Sequence, residues 1–126
     1  ITIPDQRYRE YIRSVDFIQA HIFPGGALPS ITVLCENMTK HSGLLLEHLE
    51  NFAEHYVRTL REWRRRFLEH REEIGALGFD AVFRRKWEYY LAYCEVGFAT
   101  RMINLHQMVL TREQNRELSE HSFPDW

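Results

Sequence analysis

The 126 residues carry 16 Lys and Arg against 18 Asp and Glu, a formal charge of −2. That balance excludes the concentrated basic surface of a nucleic-acid grip, the 44% apolar residues support the core of one domain, and no apolar run approaches the roughly 18–20 residues of a membrane span. Two cysteines, Cys35 and Cys94, without a CxxC spacing indicate neither a disulfide scaffold nor a zinc knuckle, so reducing, cytoplasmic conditions are expected.

The chain opens on Ile1-Thr2-Ile3 instead of Met, and it lacks the basic stretch and long apolar run of a secretory signal. This abrupt, strand-like start reads as a piece of something longer. Pro4, which cannot donate to a ladder, closes the strand end. Tyr8, Tyr11, Ile12, Val15, Ile18 and Ile22 recur at three- and four-residue steps and predict one helix, stopped by Phe23-Pro24-Gly25-Gly26. Residues 27–40 read as a loop, with Pro29-Ser30 as a turn. Leu44-Leu45-Leu46 begins a predicted strand that extends toward Glu47 or Leu49.

The clearest helix follows. Tyr56, Leu60, Trp63, Phe67 and Ile74 share one stripe, while Arg61, Glu62, Arg65, Glu69 and Glu72 face away. Gly75 and Gly78 are its expected stops. Asp80 is the expected N-cap of a second helix, whose inner stripe is Phe83, Trp87, Tyr90, Leu91, Cys94 and Phe98. Ile103 to Leu110 alternates as a strand, and Thr111 to Trp126 reads as a polar tail, tied down only if Phe123 or Trp126 docks. The order strand, helix, strand, helix, helix, strand fits the later part of an α/β layer fold better than a helical bundle. Three strands alone leave a sheet edge open, a second hint of a missing partner half.

No Gly-rich phosphate loop is present, because Phe23-Pro24-Gly25-Gly26 lacks the GxGxxG spacing and follows a helix. No GxSxG supports a serine hydrolase. The seven histidines form no HExxH; Glu47-His48 and Glu54-His55 come nearest to a metal site, and scattered exposed histidines explain them better. Arg64-Arg65-Arg66 and Arg84-Arg85-Lys86 could touch anionic lipid headgroups, each charge being worth about 1 kcal/mol at such a surface. Glu62, Glu69, Glu72 and Glu73 nearby favour a solvated helix face instead. The aromatic-rich stretches around Trp63, Trp87, Tyr89, Tyr90 and Tyr93 suit a core, and an acyl-chain channel would draw on the same residue types. Tyr56 stands out because its hydroxyl enters the apolar stripe, where a buried phenol needs a partner. It also lies near a helix start, which favours an anion. A core tyrosine bonded to a backbone carbonyl is the plainer alternative.

Several blocks occur together in a known order: Val15-Asp16-Phe17-Ile18-Gln19; Ile22-Phe23-Pro24-Gly25-Gly26-Ala27-Leu28-Pro29-Ser30; Glu50-Asn51-Phe52; His55 to Trp63; Trp87-Glu88-Tyr89-Tyr90-Leu91 with Cys94-Glu95 and Gly97-Phe98; and Asn104 to Leu110. In these blocks the chain resembles the C-terminal part of the cyclopropane-fatty-acyl-phospholipid synthase family, S-adenosylmethionine-dependent methyltransferases, over about residues 1–112, with residues 113–126 as a polar tail. The resemblance implies an α/β fold: the C-terminal part of a class I (Rossmann-like) methyltransferase sheet with long helices. It also implies that the cofactor-binding half lies upstream of Ile1, so that this segment holds no cofactor-binding residue, needs no metal and is inactive alone.

Enzymes of this family transfer a methyl group from S-adenosylmethionine to a cis double bond of an unsaturated phospholipid acyl chain. A bound bicarbonate then takes a proton as the cyclopropane closes. The resemblance places Tyr56 as the catalytic tyrosine that contacts bicarbonate. It places Ile3 as the backbone contact of a His-Thr-Ile triplet, whose histidine is replaced here by Ile1. Glu50 is a second departure, where several relatives have histidine; Glu47 takes no role, and Gln107 a strand-end hydrogen bond. The implied partners are the phospholipid, a transient peripheral contact with the inner face of the membrane and, compatibly, a second copy in a homodimer. Two other readings stay open: a related methyltransferase that acts without ring closure or on a carrier-bound acid, and a non-catalytic truncated domain that binds lipid or a partner polypeptide.

Overall fold

A computed structural model describes residues 1–115 of the chain. Its elements run α1 (Asp5–Tyr11), α2 (Phe17–His21), α3 (Ile31–His41), β1 (Leu44–Asn51), α4 (Ala53–Glu69), α5 (Arg71–Ala76), α6 (Ala81–Ala99) and β2 (His106–Arg112). Strands β1 and β2 pair antiparallel, from Leu44 opposite Arg112 to Asn51 opposite His106, with a bulge between Leu46 and His48. The expected opening strand is reduced to one antiparallel bridge, Thr2 to Asn104. Both of its hydrogen bonds form, at 2.8 and 2.9 Å.

The N-terminal helix differs from the single one expected. Ser14 Oγ donates to the Tyr11 carbonyl at 3.0 Å, which draws the chain out of the helix. Asp16 then restarts it with a capping box: its carboxylate accepts from the Gln19 amide at 2.9 Å, and Gln19 Oε1 accepts from the Asp16 amide at 3.0 Å. Residues 27–40 are likewise not one loop. Ser30 caps α3 by accepting from the Val33 amide at 3.3 Å, and Asp5 accepts from the Thr32 amide at the same helix start.

Helices α4 and α6 form the packed hairpin that sequence periodicity predicts, with Asp80 capping α6 through the Phe83 amide at 2.7 Å. The predicted α4 run divides at His70, whose Nδ1 donates to the Arg66 carbonyl at 2.8 Å, leaving α5 as a separate short helix. Gly78, at φ +96°, takes the left-handed conformation that ends α5. Gly75 does not stop a helix; it lies inside α5, where a Cβ would run into the Arg84 guanidinium.

The core is centred on Ala53, Leu60, Leu91 and Phe98. Glu95 ties the two helices by pairing with Arg61 at 2.9 Å and Arg64 at 3.4 Å. On the outer face Glu62 pairs with Arg65 and Arg66 at 2.7 and 2.8 Å. Hydrogen bonds from those two arginines hold the Glu62 carboxyl down to about 2. The run Arg64 to Arg66 is therefore an ion-paired helix face. Trp63, expected on the inner stripe, is 48% exposed and meets Tyr56 edge-on, at 5.8 Å between ring centres. Strand β2 runs on to Arg112, so Thr111 is a buried strand residue and not the start of a tail. Phe123 and Trp126 lie outside the described residues.

Candidate active site

Tyr56 is the fourth residue of α4, and three hydrogen bonds fix where that helix begins. Asn51 Oδ1 accepts from the Ala53 amide at 2.9 Å, and the Tyr56 amide donates to the Phe52 carbonyl at 3.0 Å. Asn51 Nδ2 also donates to Asn104 Oδ1 at 3.0 Å, and Asn104 carries the bridge to Thr2. The start of α4 and the segment Ile1–Ile3 are thereby held to one another.

The result is that Tyr56, Ile1 and Ile3 line one cavity of about 700 Å³. Leu60 and Phe98, 1% and 2% exposed, mark its inner end. Tyr90 and Cys94 of α6 stand beside them, and the Tyr56 ring meets Phe98 edge-on at 4.9 Å. Arg7, Glu10, Ser14, Asp16 and Gln19 give the same cavity a polar rim. Its volume falls within the roughly 300–1,000 Å³ of small-molecule sites, and the mostly apolar wall with a few convergent polar groups matches their usual character.

The electrostatics follow from burial. The Tyr56 phenol is pushed above its ordinary value by desolvation first and by the neighbouring Cys94 second. Tyr90 is raised to about 12 by desolvation, with Cys94 and Tyr56 adding to it. Desolvation also raises the Cys94 thiol to about 11, against a hydrogen bond from Tyr90 that works the other way. All three groups are neutral at pH 7, so the phenols are hydrogen-bond donors and not bases. The Tyr56 hydroxyl has no hydrogen-bond partner among the described residues.

Ile3 sits in the cavity wall with its amide donating to the Pro29 carbonyl at 3.0 Å, so that hydrogen is already engaged. Glu50 lies on β1 opposite Gln107, its carboxylate 3.9 Å from His48 Nε2, and does not line this cavity. Gln107 lines a smaller cavity of about 360 Å³ that also touches Tyr56, together with His55, Thr59 and His106. Burial holds the His106 imidazole below its ordinary value. Among the described residues no group of three or more His, Cys, Asp or Glu stands close enough to hold a metal ion, and no helix is long and apolar enough to cross a membrane.

Sequence reasoning took Tyr90 and Cys94 for core residues and passed over the rim. Their four-residue spacing sets them side by side on one face of α6, but does not say which residue of α4 they meet. The Asp16-to-Gln19 spacing is the signal for the cap that brings Asp16 to the rim.

The likeness to known proteins covers most of the chain. Tuberculostearic acid methyltransferase UfaA1 of Mycobacterium tuberculosis is 42% identical over 113 residues, 90% of this chain and 26% of that protein. Cyclopropane-fatty-acyl-phospholipid synthase of Escherichia coli (strain K12) is 36% identical over 76% of this chain and 24% of that protein. The chain thus spans about a quarter of the length of these relatives. The solved cyclopropane synthase MmaA2 from Mycobacterium tuberculosis superposes with a TM-score of 0.72 at 27% identity, covering 86% of this chain and 40% of that one. Mycolic acid cyclopropane synthase CmaA1, solved in complex with SAH and CTAB, gives 0.70 at 26% identity over 83% of this chain and 35% of that one. The helices and antiparallel strands are thus part of an α/β methyltransferase fold, as the sequence blocks imply. Residues 1–108 match the family described as Mycolic acid cyclopropane synthetase, and the chain belongs to that family of lipid methyltransferases.

Proposed function

We propose that this chain belongs to an enzyme that transfers a methyl group from S-adenosylmethionine to a cis double bond of an unsaturated acyl chain. In this reading it forms the lipid-side wall of the active site, with Tyr56 at the reaction centre. The observation that carries the reading is the cavity shared by Tyr56 and Ile3, whose lining is mostly apolar and aromatic. An extended hydrocarbon gains by leaving water there, and the rings of Tyr56, Tyr90 and Phe98 offer π-faces to developing positive charge.

The described residues include no glycine-rich turn between a strand and a helix, the feature that cradles a nucleotide cofactor. They do not fit S-adenosylmethionine, which on this reading is held elsewhere in the whole protein. They fit a small oxyanion such as bicarbonate on the α4 side, where the Tyr56 hydroxyl is neutral and unpartnered. On the Ile1–Ile3 side the family histidine is absent and the Ile3 amide is engaged with Pro29. Bicarbonate there supplies an acceptor for a proton; Tyr56 holds and orients that acceptor through its O–H.

Ring closure on a phospholipid, at the cytoplasmic face of the membrane, is the leading reading. Methylation without ring closure is the second, favoured by Ile1 in the histidine position and by the 42% identity to a relative named for tuberculostearic acid. Expression of the complete gene product in cells rich in cis-unsaturated phospholipid, followed by mass spectrometry of the acyl chains, tests both. Either product appears about 14 Da heavier than its precursor. Mild catalytic hydrogenation leaves a cyclopropane intact and adds hydrogen to a methylene-branched olefin. Unmodified acyl chains would contradict the reading as a whole.

A further inference from the structure

We propose that the mouth of the larger cavity docks on a phospholipid bilayer with anionic headgroups, through a collar of exposed apolar residues and arginines that flanks it. The inference rests on the reading of that cavity as an acyl-chain site. Tyr89, Tyr93, Val96 and Met102 line the cavity and also stand in water, as does Arg7 of α1. The cavity is therefore open between α1, α6 and the turn that follows α6. Arg7 Nη1 donates to the Met102 carbonyl at 3.4 Å, which joins α1 to that turn. The Phe17 ring centre lies 4.5 Å from that of Tyr89 and 6.1 Å from that of Tyr93, which seats the end of the 12–16 turn beside α6.

This edge carries apolar side chains that stay in water. Val15 is 76% exposed, Val96 58% and Met102 47%, and Ile12 is half-exposed. Exposed apolar surface of this kind marks a place that meets lipid or protein, and tyrosines such as Tyr89 suit the boundary between headgroups and acyl chains. The same segments carry four exposed arginines, Arg7, Arg9, Arg13 and Arg101. Among the carboxylates there, Asp5 and Asp16 are engaged by the Thr32 and Gln19 amides, which leaves Glu10 to oppose them. Glu95 of α6 is held by Arg61 and Arg64. An excess of arginine suits an anionic surface. An acidic acyl carrier protein would also meet the arginines, but the exposed Ile12, Val15 and Val96 favour the bilayer. Its acyl layer takes such side chains out of water, and a lipid then reaches the cavity without crossing water.

Co-sedimentation of the complete gene product with vesicles of dimyristoyl phosphatidylglycerol and dimyristoyl phosphatidylcholine tests this, and the saturated chains keep docking separate from methyl transfer. Binding should appear at low salt, weaken as salt rises, and be weaker on phosphatidylcholine alone. Val15→Glu should weaken it about tenfold, and Arg13→Ala about fivefold. Val82→Glu, at a 56% exposed site near the opposite end of α6, should leave it unchanged. No binding to the mixed vesicles overturns the proposal, as does wild-type binding in Val15→Glu or an equal loss in Val82→Glu. Capture of an acyl carrier protein that Arg13→Ala weakens, with no vesicle binding, overturns it in favour of a carrier-bound acid. A lowered melting temperature in Val15→Glu with vesicle binding unchanged sets the collar beneath the rest of the protein and also overturns it. Unmodified acyl chains in cells, beside intact vesicle binding, strike the reading of the cavity instead.

Discussion

The two walls of the cavity are built by opposite means. The α4–α6 wall is held by burial: Leu60 and Phe98 are sealed in, and Glu95 binds two arginines across the helix pair. The facing wall, residues 4–29, contains no buried residue. It is held by single polar bonds: the Asp16–Gln19 capping box, Gln19 Nε2 to the Gly26 carbonyl at 3.0 Å, and the Leu28 amide to the Tyr11 hydroxyl at 3.1 Å. Phe17 leaning edge-on against Tyr89 at 4.5 Å is one ring contact between the two. A wall with little buried apolar area opens at a lower free energy than one with a core. The rigid side therefore carries the tyrosines, and the N-terminal limb is the side that opens at the lower free energy.

That contrast can be broken from the core outward. Phe98→Ala should cost roughly 3–5 kcal/mol, the usual toll of emptying a buried aromatic site, read from the denaturant midpoint of the complete gene product. Trp63→Ala, on a half-exposed edge of the same hairpin, should cost about 1–2 kcal/mol, because only part of its surface leaves water on folding. Asp16→Ala should remove about 1 kcal/mol from the cap of α2, seen as faster amide exchange over residues 17–22 with the hairpin unchanged. Phe23→Ala, at 54% exposure on the limb, should fall within about 0.5 kcal/mol of wild type in the same denaturant measurement.

Alkaline pH sharpens the comparison because the raised groups lie on the rigid wall. Cys94 and Tyr90 move from ordinary values of 9.0 and 10.0 to about 11 and about 12. Folding favours their neutral forms, so their stabilisation is complete below pH 9. It is lost progressively as pH rises through about 11 and about 12. Chemical denaturation from pH 8 to 12 should show that decline, and Cys94→Ala should flatten its lower part.

How much of this was legible in the sequence follows the same division. The stripes of α4 and α6, and the Asp80 cap, were readable because burial imposes a period of 3.6 residues. The limb was not, because its breaks depend on single side chains. Ser14 and Asp16 interrupt an apolar pattern that reads through them, and Ser30 after Pro29 looks like a turn until its hydroxyl is seen capping α3. Tyr56 was legible from its stripe position and from the resemblance of its neighbours. Its link to Tyr90 and Cys94 was not, since nothing in the two stripes says which residues of facing helices meet. Trp63 misled because a residue at the margin of a stripe carries the same period as one at its centre.

The central claim is that Tyr56 acts through its hydroxyl at the reaction centre of an acyl-chain methyltransferase. The most direct test is the turnover of unsaturated lipid by the complete gene product carrying Tyr56→Phe, measured beside its melting temperature. The account predicts a fall of about 100-fold or more, on the scale of losing one aligned donor, with the melting temperature nearly unchanged. Wild-type turnover in that variant would contradict it.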